Sequence, residues 1–270
     1  MQSNKMYIIS VSGPIAAGKS TFLEAFEPRF KYEMGELSPK IWFMQEPQFF
    51  KGSQSHELAA EYFGITTETP KDKAQDIVYR FQLAMLHDRA KHMQEAQNKD
   101  CAIFVMERSP LEDEFFWDNL HQRGLLSARD LAILHNTREH LFGEDFAVDV
   151  LININIPAKD AYQNALNRAK RNNDRAPELN VFPMETYELM HDWYFGFTIR
   201  AILAGSALVE VQFSKLVEDL EGEVNRICEK IPRHILFGGF FDCADDVITP
   251  AWTNLTGLMD LDDSELFEPQ

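Results

Sequence analysis

The sequence predicts an α/β domain built on a five-stranded parallel sheet with helices on both faces. Two observations carry this reading. Short, β-branched apolar runs alternate with longer stretches of helical periodicity up to about residue 230, and such alternation needs crossover connections that cover both faces of a parallel sheet. A chain of 270 residues that is 45% hydrophobic also supplies a core large enough for one such domain. No internal repeat and no linker marks a second domain.

The elements follow in order. Met6 to Ser12 (Met-Tyr-Ile-Ile-Ser-Val-Ser) reads as a buried strand entering a glycine-bearing loop, and Lys19 to Phe26 as the helix after it. Ile41 to Gln45 is a second short apolar strand, ended by Glu46-Pro47. Ser55 to Phe63 and Asp72 to Gln97 read as helices; in the second, Ile77, Phe81, Ala84 and Met85 share one apolar face. Ala102 to Met106 is the third strand, running into Glu107-Arg108-Ser109. Helices follow near Leu111 to His121 and Ser127 to Leu141. Val148 to Ile156 is the fourth strand, closed by Pro157, and Ala158 to Lys170 the next helix. Arg171 to Phe182 is polar with prolines and reads as a loop. Met184 to Leu203 is helical, Ala207 to Gln212 the fifth strand, and Leu216 to Lys230 the last helix. Beyond it, Ile231 to Gln270 carries eight carboxylates against a lone Arg233 and reads as an acidic extension.

The formal charge is −17, from 26 basic and 43 acidic side chains. A surface so acidic repels a polyanion, which argues against a nucleic-acid polymer as partner. An anionic ligand therefore needs a local basic pocket. The odd cysteine count (Cys101, Cys228, Cys243), with no Cys-x-x-Cys pair, points to a reducing compartment and away from a disulfide framework or a zinc site. Met1 to Met6 is short and polar, unlike a signal or transit peptide, and no apolar run is long enough to span a membrane. The expectation is a cytoplasmic protein without a membrane partner.

Gly13-Pro14-Ile15-Ala16-Ala17-Gly18-Lys19-Ser20 matches Gly-x-x-x-x-Gly-Lys-Ser between a strand and a helix, the context of a phosphate-binding P-loop. Gly13 and Gly18 permit backbone angles that aim successive N–H groups at one point. Lys19 brings a cation to the β- and γ-phosphates, Ser20 offers a hydroxyl to Mg²⁺, and the helix N-terminus adds partial positive charge. The loop names the triphosphate but not the acceptor.

Glu46 and Glu107 stand at the ends of strands, as the loop does, and ligands bind at that edge of a parallel sheet. An alcohol acceptor needs a base to take its proton. Taken alone, Glu46 before Pro47 reads equally as that base or as a helix-capping or surface glutamate. Glu107-Arg108 reads as a site pair or a structural pair. Gln82 and Arg89 lie on one side of the same helix, and a glutamine amide can pair with a base edge through one donor and one acceptor. Phe81 reads as a stacking ring or as plain core.

These segments, in order, resemble the deoxynucleoside kinase family: Ile15-Ala16-Ala17-Gly18-Lys19-Ser20-Thr21-Phe22, then Glu46-Pro47, then Phe81-Gln82 with Arg89, then Glu107-Arg108-Ser109 with Asp113 and Trp117. The similarity runs from about Met6 to Trp193. It implies a P-loop kinase domain over residues 1–230, with an Arg-bearing lid at about 171–183. It implies phosphoryl transfer from ATP with Mg²⁺ to the 5′-hydroxyl of a deoxynucleoside. Glu46 would be the base, with Lys19 and Arg108 on the moving phosphate. Gly13, Ala16, Ala17, Gly18, Lys19, Ser20 and Thr21 would hold the donor phosphates, and Ser20 and Glu107 the metal. Phe81, Gln82 and Trp117 would hold the nucleoside base, Arg89 and Asp113 its exocyclic group, and Tyr62 the sugar. A carboxylate accepts from an amino group and repels a carbonyl, so an amino-bearing base (cytosine, adenine or guanine) is expected over thymine. Family members are often dimers; the resemblance admits a homodimer without marking an interface.

The run Asn167-Arg168-Ala169-Lys170-Arg171-Asn172-Asn173-Asp174-Arg175 reverses the local charge of an acidic chain. It suggests a lid whose Arg168, Arg171 and Arg175 meet phosphate, or else a solvated helix end. It lacks the glycine of the family's Arg-Gly-Arg lid, so the sugar-binding acid is left between Asp174 and Glu178. His191 reads as a packing or surface residue. A thymidylate-type monophosphate kinase is the rival enzyme, but Glu46 would repel its acceptor phosphate. An inactive kinase-like subunit is opposed by the joint presence of Lys19, Ser20, Glu46, Glu107 and Arg108. A GTPase-like switch lacks the guanine-reading Asn-Lys-x-Asp.

Overall fold

The computed structural model describes residues 6–171 and 178–237. Five strands, β1 (Tyr7–Ser12), β2 (Ile41–Met44), β3 (Ile103–Glu107), β4 (Val150–Asn155) and β5 (Ala207–Gln212), form one sheet in the order β2-β3-β1-β4-β5. Every pairing is parallel, with β1 in register against β3 (Ile9 opposite Val105) and against β4 (Ile9 opposite Val150). All five residues of β3 and five of the six of β4 are buried, as strands covered on both faces require. The helices are α1 (Lys19–Met34), α2 (Gln54–Phe63), α3 (Lys71–Asn98), α4 (Asp113–Gln122), α5 (Ala128–Phe142), α6 (Ala158–Arg171), α7 (Glu178–Val181), α8 (Met184–Leu203), α9 (Phe213–Glu218) and α10 (Leu220–Phe237). No helix among the described residues is long and apolar enough to cross a membrane.

Three departures from the sequence reading have physical causes. Helix α1 continues eight residues past Phe26, through Pro28, to Met34. A buried stripe of Phe22, Phe26, Phe30 and Met34 holds it there, with rings stacked at 5.3 and 4.8 Å. This packing offsets the hydrogen bond that a proline removes from a helix interior. The last helix is two helices, broken at Asp219, whose backbone (φ −153°, ψ 79°) is not helical. Helix α10 then runs to Phe237, past the start expected for the acidic extension at Ile231. Within the polar segment after α6, Glu178–Val181 is a short helix rather than loop. Asp174, Arg175 and the Phe237-Gly238-Gly239-Phe240 run beyond its first residue lie outside the described residues, as does the rest of the extension.

The strand order positions the site. Because β3 lies between β2 and β1, the segments leaving β2 (Glu46), β3 (Glu107-Arg108) and β1 (the glycine loop) emerge side by side at one edge. With about 4.8 Å between neighbouring strands, the three exits fall within about 10 Å. At the start of the loop, Gly13 has φ 137°, and a Cβ there would stand 2.7 Å from the Ile154 carbonyl oxygen. Gly13→Ala is therefore expected to destabilise the fold by about 1–3 kcal/mol, read from denaturant unfolding; an unchanged midpoint would show that the loop can move away from β4.

Candidate active site

A cavity of about 620 Å³ opens at this edge. One part is walled by the glycine loop, the start of α1 and the last turns of α6, through Ala16, Gly18, Lys19, Ser20, Thr21, Asn164, Asn167, Arg168 and Arg171, with Phe213 at the start of α9. The other is walled by α2, α3 and α4, through Tyr62, Phe81, Gln82, Met85, Arg89, Asp113 and Phe116, with Phe182. Glu46, Glu107 and Arg108 line the same cavity.

In the loop, Ala16 (φ 62°) and Gly18 (φ 87°) take the left-handed backbone, and Gly18 caps the start of α1. Ala17 is fully buried, and its N–H donates to the Pro14 carbonyl at 3.2 Å. Lys19 Nζ donates to the carbonyls of Gly13 (3.0 Å) and Pro14 (2.8 Å), which holds the ammonium against the loop. Burial, and next to it the charge of Arg108, lower its pKa to about 8 against the pull of Glu107 and Glu46. Ser20 Oγ donates to both carboxylate oxygens of Glu107, at 3.2 and 3.1 Å. Burial and the charge of Glu46 push the Glu107 carboxyl up.

Arg108 also has a left-handed backbone (φ 60°), rare for a residue with a long side chain. Its N–H donates to Val11 O at 3.0 Å, and its own carbonyl accepts from Arg89 Nη1 at 2.7 Å. The guanidinium donates to Glu46 Oε1, to the Tyr194 hydroxyl (3.2 Å) and to Gly13 O (3.4 Å), and lies 4.9 Å from the centre of the Phe116 ring. Gln48 Nε2 donates to the other oxygen of Glu46 at 2.9 Å. Burial alone would raise the Glu46 carboxyl, but Arg108, Lys19 and Arg89 outweigh it and hold it below its ordinary value. Glu46 is thus ionised at neutral pH, and each oxygen keeps a lone pair for another donor.

Glu112 and Tyr194 escape the sequence reading, as do Gln48 and Phe116. Glu112, fully buried, accepts from Ser12 Oγ (2.7 Å), Ser10 Oγ (3.2 Å) and the Ser109 N–H (2.8 Å), and from the Tyr194 hydroxyl at 2.8 Å. A chain of hydrogen bonds therefore runs from β1 through Glu112 and Tyr194 to Arg108. Its sequence signal is faint: Ser10 and Ser12 put two hydroxyls on one face of an otherwise apolar strand, which asks for a buried polar partner.

At the other end, Arg89 grips Asp113 with Nε (3.2 Å) and Nη2 (3.4 Å), and Nη1 serves the carbonyls of Glu107 (3.0 Å) and Arg108 (2.7 Å). Four of its five donor positions are thereby engaged. Burial raises the Asp113 carboxyl to about 6, although Arg89 pulls the other way. Phe81 and Tyr62 stack face to face at 4.1 Å and 9°, so one face of Phe81 is already covered. Burial pushes the Tyr62 hydroxyl up. Trp117 corrects the expectation of a ring closing over the nucleoside base. It is fully buried behind the cavity wall, and its Nε1 donates to Gln82 Oε1 at 3.1 Å. Phe116, one residue earlier, faces the cavity instead. A run of three aromatic residues, Phe115 to Trp117, gives no sequence clue to which one does so. His191 is exposed, as expected.

From the basic run, Arg168 and Arg171 line the cavity on one face of α6 with Asn164 and Asn167. Glu178 begins α7, and its side chain is outside the described part.

A family model described as deoxynucleoside kinase matches residues 9–235. Among solved structures, this chain is similar to a deoxyadenosine kinase from M. mycoides with the products dCMP and a flexible dCDP bound, at a TM-score of 0.55 and 20% identity over 83% of this chain and 98% of that one. A search of curated protein sequences finds no match.

Tyr194→Phe keeps the ring but leaves the buried Glu112 without one donor and Arg108 without one acceptor. It is expected to lower unfolding free energy by about 1–3 kcal/mol in a denaturant titration; no loss would mean that the hydroxyl bridges nothing.

Proposed function

The chain belongs to the deoxynucleoside kinase family of phosphotransferases, and we propose that it moves the γ-phosphate of ATP to the 5′-hydroxyl of a deoxynucleoside carrying an amino-bearing base. The observation that carries this is Glu46, a carboxylate held ionised by Arg108 in the same cavity as both the phosphate loop and the amide of Gln82.

The loop N–H groups and Lys19 receive the β- and γ-phosphates, with Arg168 and Arg171 facing them from α6. Arg175, by its place in the sequence, is assigned to the same lid. Ser20 and Glu107 supply oxygens of the kind Mg²⁺ takes and already meet at the start of α1. Among the described residues no cluster of three or more His, Cys, Asp or Glu side chains could hold a metal. That fits a cation shared with a triphosphate, which needs only one or two protein carboxylates. Such a cation would supply charge neutralisation to the bound triphosphate. Glu46 accepts the proton of the 5′-hydroxyl on a free lone pair and orients that oxygen. Arg108, fixed between Glu46 and Tyr194, faces the oxygens of the moving phosphoryl group. Tyr62 serves the sugar; Phe81 and Phe116 wall the base; Gln82 and Asp113 meet its polar edge.

A monophosphate kinase is disfavoured by two features. Glu46 would repel an acceptor phosphate, and Arg89, a cation at the base end, has four of its five donors engaged by Asp113 and two carbonyls. The neighbour's name and its bound product pair adenine and cytosine, both amino-bearing, in keeping with the proposed preference. The setting that fits this reading is nucleotide salvage in the cytoplasm.

Offered all four deoxynucleosides and their monophosphates with ATP and Mg²⁺, the protein is expected to phosphorylate nucleosides, with thymidine the poorest. Thymidine as best substrate, or turnover of monophosphates only, would refute the assignment. Glu46→Gln is expected to lower kcat by about 10²–10⁴-fold; full activity would remove Glu46 as base. Asp113 accepts more strongly from an amino group when ionised, and burial pushes its carboxyl up to about 6. Hence kcat/KM for amino-bearing substrates should hold above that pH and fall as the pH drops through it. Asp113→Asn should abolish that limb of the profile.

A further inference from the structure

We infer that Trp117 is a positioning residue that fixes the amide of Gln82 with its NH₂ group towards the nucleoside base, so that the site selects adenine and cytosine against guanine as well as thymine. This rests on the deoxynucleoside kinase reading and narrows it.

The indole N–H of Trp117 can only donate, so the Gln82 atom it meets at 3.1 Å must be the carbonyl oxygen. The orientation of this amide is therefore set by chemistry. Trp117 is fully buried and held from α5, where the His135 ring stands edge-on to it at 5.3 Å and 89°. It lies behind the wall that Gln82 presents to the cavity. Pinning Oε1 to the wall leaves Nε2, which stands by the Tyr62 hydroxyl, as a group that can only donate to the ligand. Asp113, which lines the same cavity and is gripped through both oxygens by Arg89, keeps lone pairs to accept. Arg89 has one N–H left of five.

The base edge complementary to a donor beside an acceptor is a ring nitrogen without a proton next to an amino group. Adenine offers N1 and the 6-amino group; cytosine offers N3 and the 4-amino group. Guanine and thymine present the reverse, a ring N–H next to a carbonyl. Against this wall the N–H would meet the protons of Gln82, and the carbonyl would meet Asp113. A base edge paired through two such contacts discriminates by about 1–3 kcal/mol against the wrong base. An amide free to flip would match either pattern at its own position, so the indole removes that tolerance.

The test compares kcat/KM within two substrate pairs, deoxyadenosine against deoxyinosine and deoxycytidine against deoxyuridine. Within each pair only the amino group and its neighbouring ring nitrogen change. The wild type is expected to favour the amino member by about 10-fold or more. Trp117→Phe, verified as folded by thermal unfolding, is expected to lose most of that ratio, chiefly through a lower KM for the oxo member. Loss of packing alone would scale both members together. Gln82→Glu keeps an acceptor for Trp117 but offers the base no proton, and is expected to lower the ratio further or invert it. This variant decides the matter if Trp117→Phe does not fold. A folded Trp117→Phe or a Gln82→Glu enzyme with the wild-type ratio would overturn the inference, as would a wild type that uses both members equally. A wild type that phosphorylates no deoxynucleoside would instead overturn the functional reading beneath it.

Discussion

The ion pair of Arg108 with Glu46 is the constraint around which the cavity is organised. Both groups are buried, and removing two charges from water costs several kcal/mol per ion unless hydrogen bonds complete their shells. The protein completes them. Arg108 donates to Glu46, Tyr194 and Gly13 O; Glu46 also accepts from Gln48. The left-handed backbone of Arg108 turns its carbonyl to Arg89, which holds Asp113 in turn. One strained residue thus ties the glycine loop, the carboxylate at the end of β2 and the α3–α4 end of the cavity into a single hydrogen-bonded body.

Such a network is a cost to the fold, and the sheet is built to bear it. Lys19, Arg89 and Arg108 share the edge with Glu46, Glu107, Glu112 and Asp113, all buried. Each cation there leans on a carboxylate or on backbone carbonyls. Beneath them β1, β3 and β4 supply most of the buried apolar core, and the phenylalanine stripe of α1 packs on the same core. The order β2-β3-β1 brings the three charged strand exits together without a long loop. A polar site assembled on rigid strand ends is pre-organised, which is where electrostatic stabilisation of a moving phosphoryl group gains most.

What could be read from the sequence follows from how local each signal is. Strand ends are local, so the loop, Glu46 and Glu107-Arg108 were legible from apolar runs that stop at a charge. Gln82 and Arg89 were legible because seven residues bring a helix back to the same side. Partners far apart in the chain were not. Tyr194 and Glu112 are 82 residues apart and meet only after α8 packs across the sheet. The choice between Phe116 and Trp117 depends on the rotation of α4, and three successive aromatic residues hide that rotation. The reach of α1 past Phe26 was not legible because the phenylalanine stripe that carries it through Pro28 acts through the core.

The measurement that bears most directly on the role of the Glu46–Arg108 pair is an experimental structure with deoxyadenosine and a non-hydrolysable ATP analogue bound. The 5′-oxygen is expected about 3 Å from a Glu46 carboxylate oxygen, with Arg108 between that oxygen and the γ-phosphate. A nucleoside bound with its 5′-oxygen on another group, and Glu46 still closed on Arg108 and Gln48 alone, would contradict it.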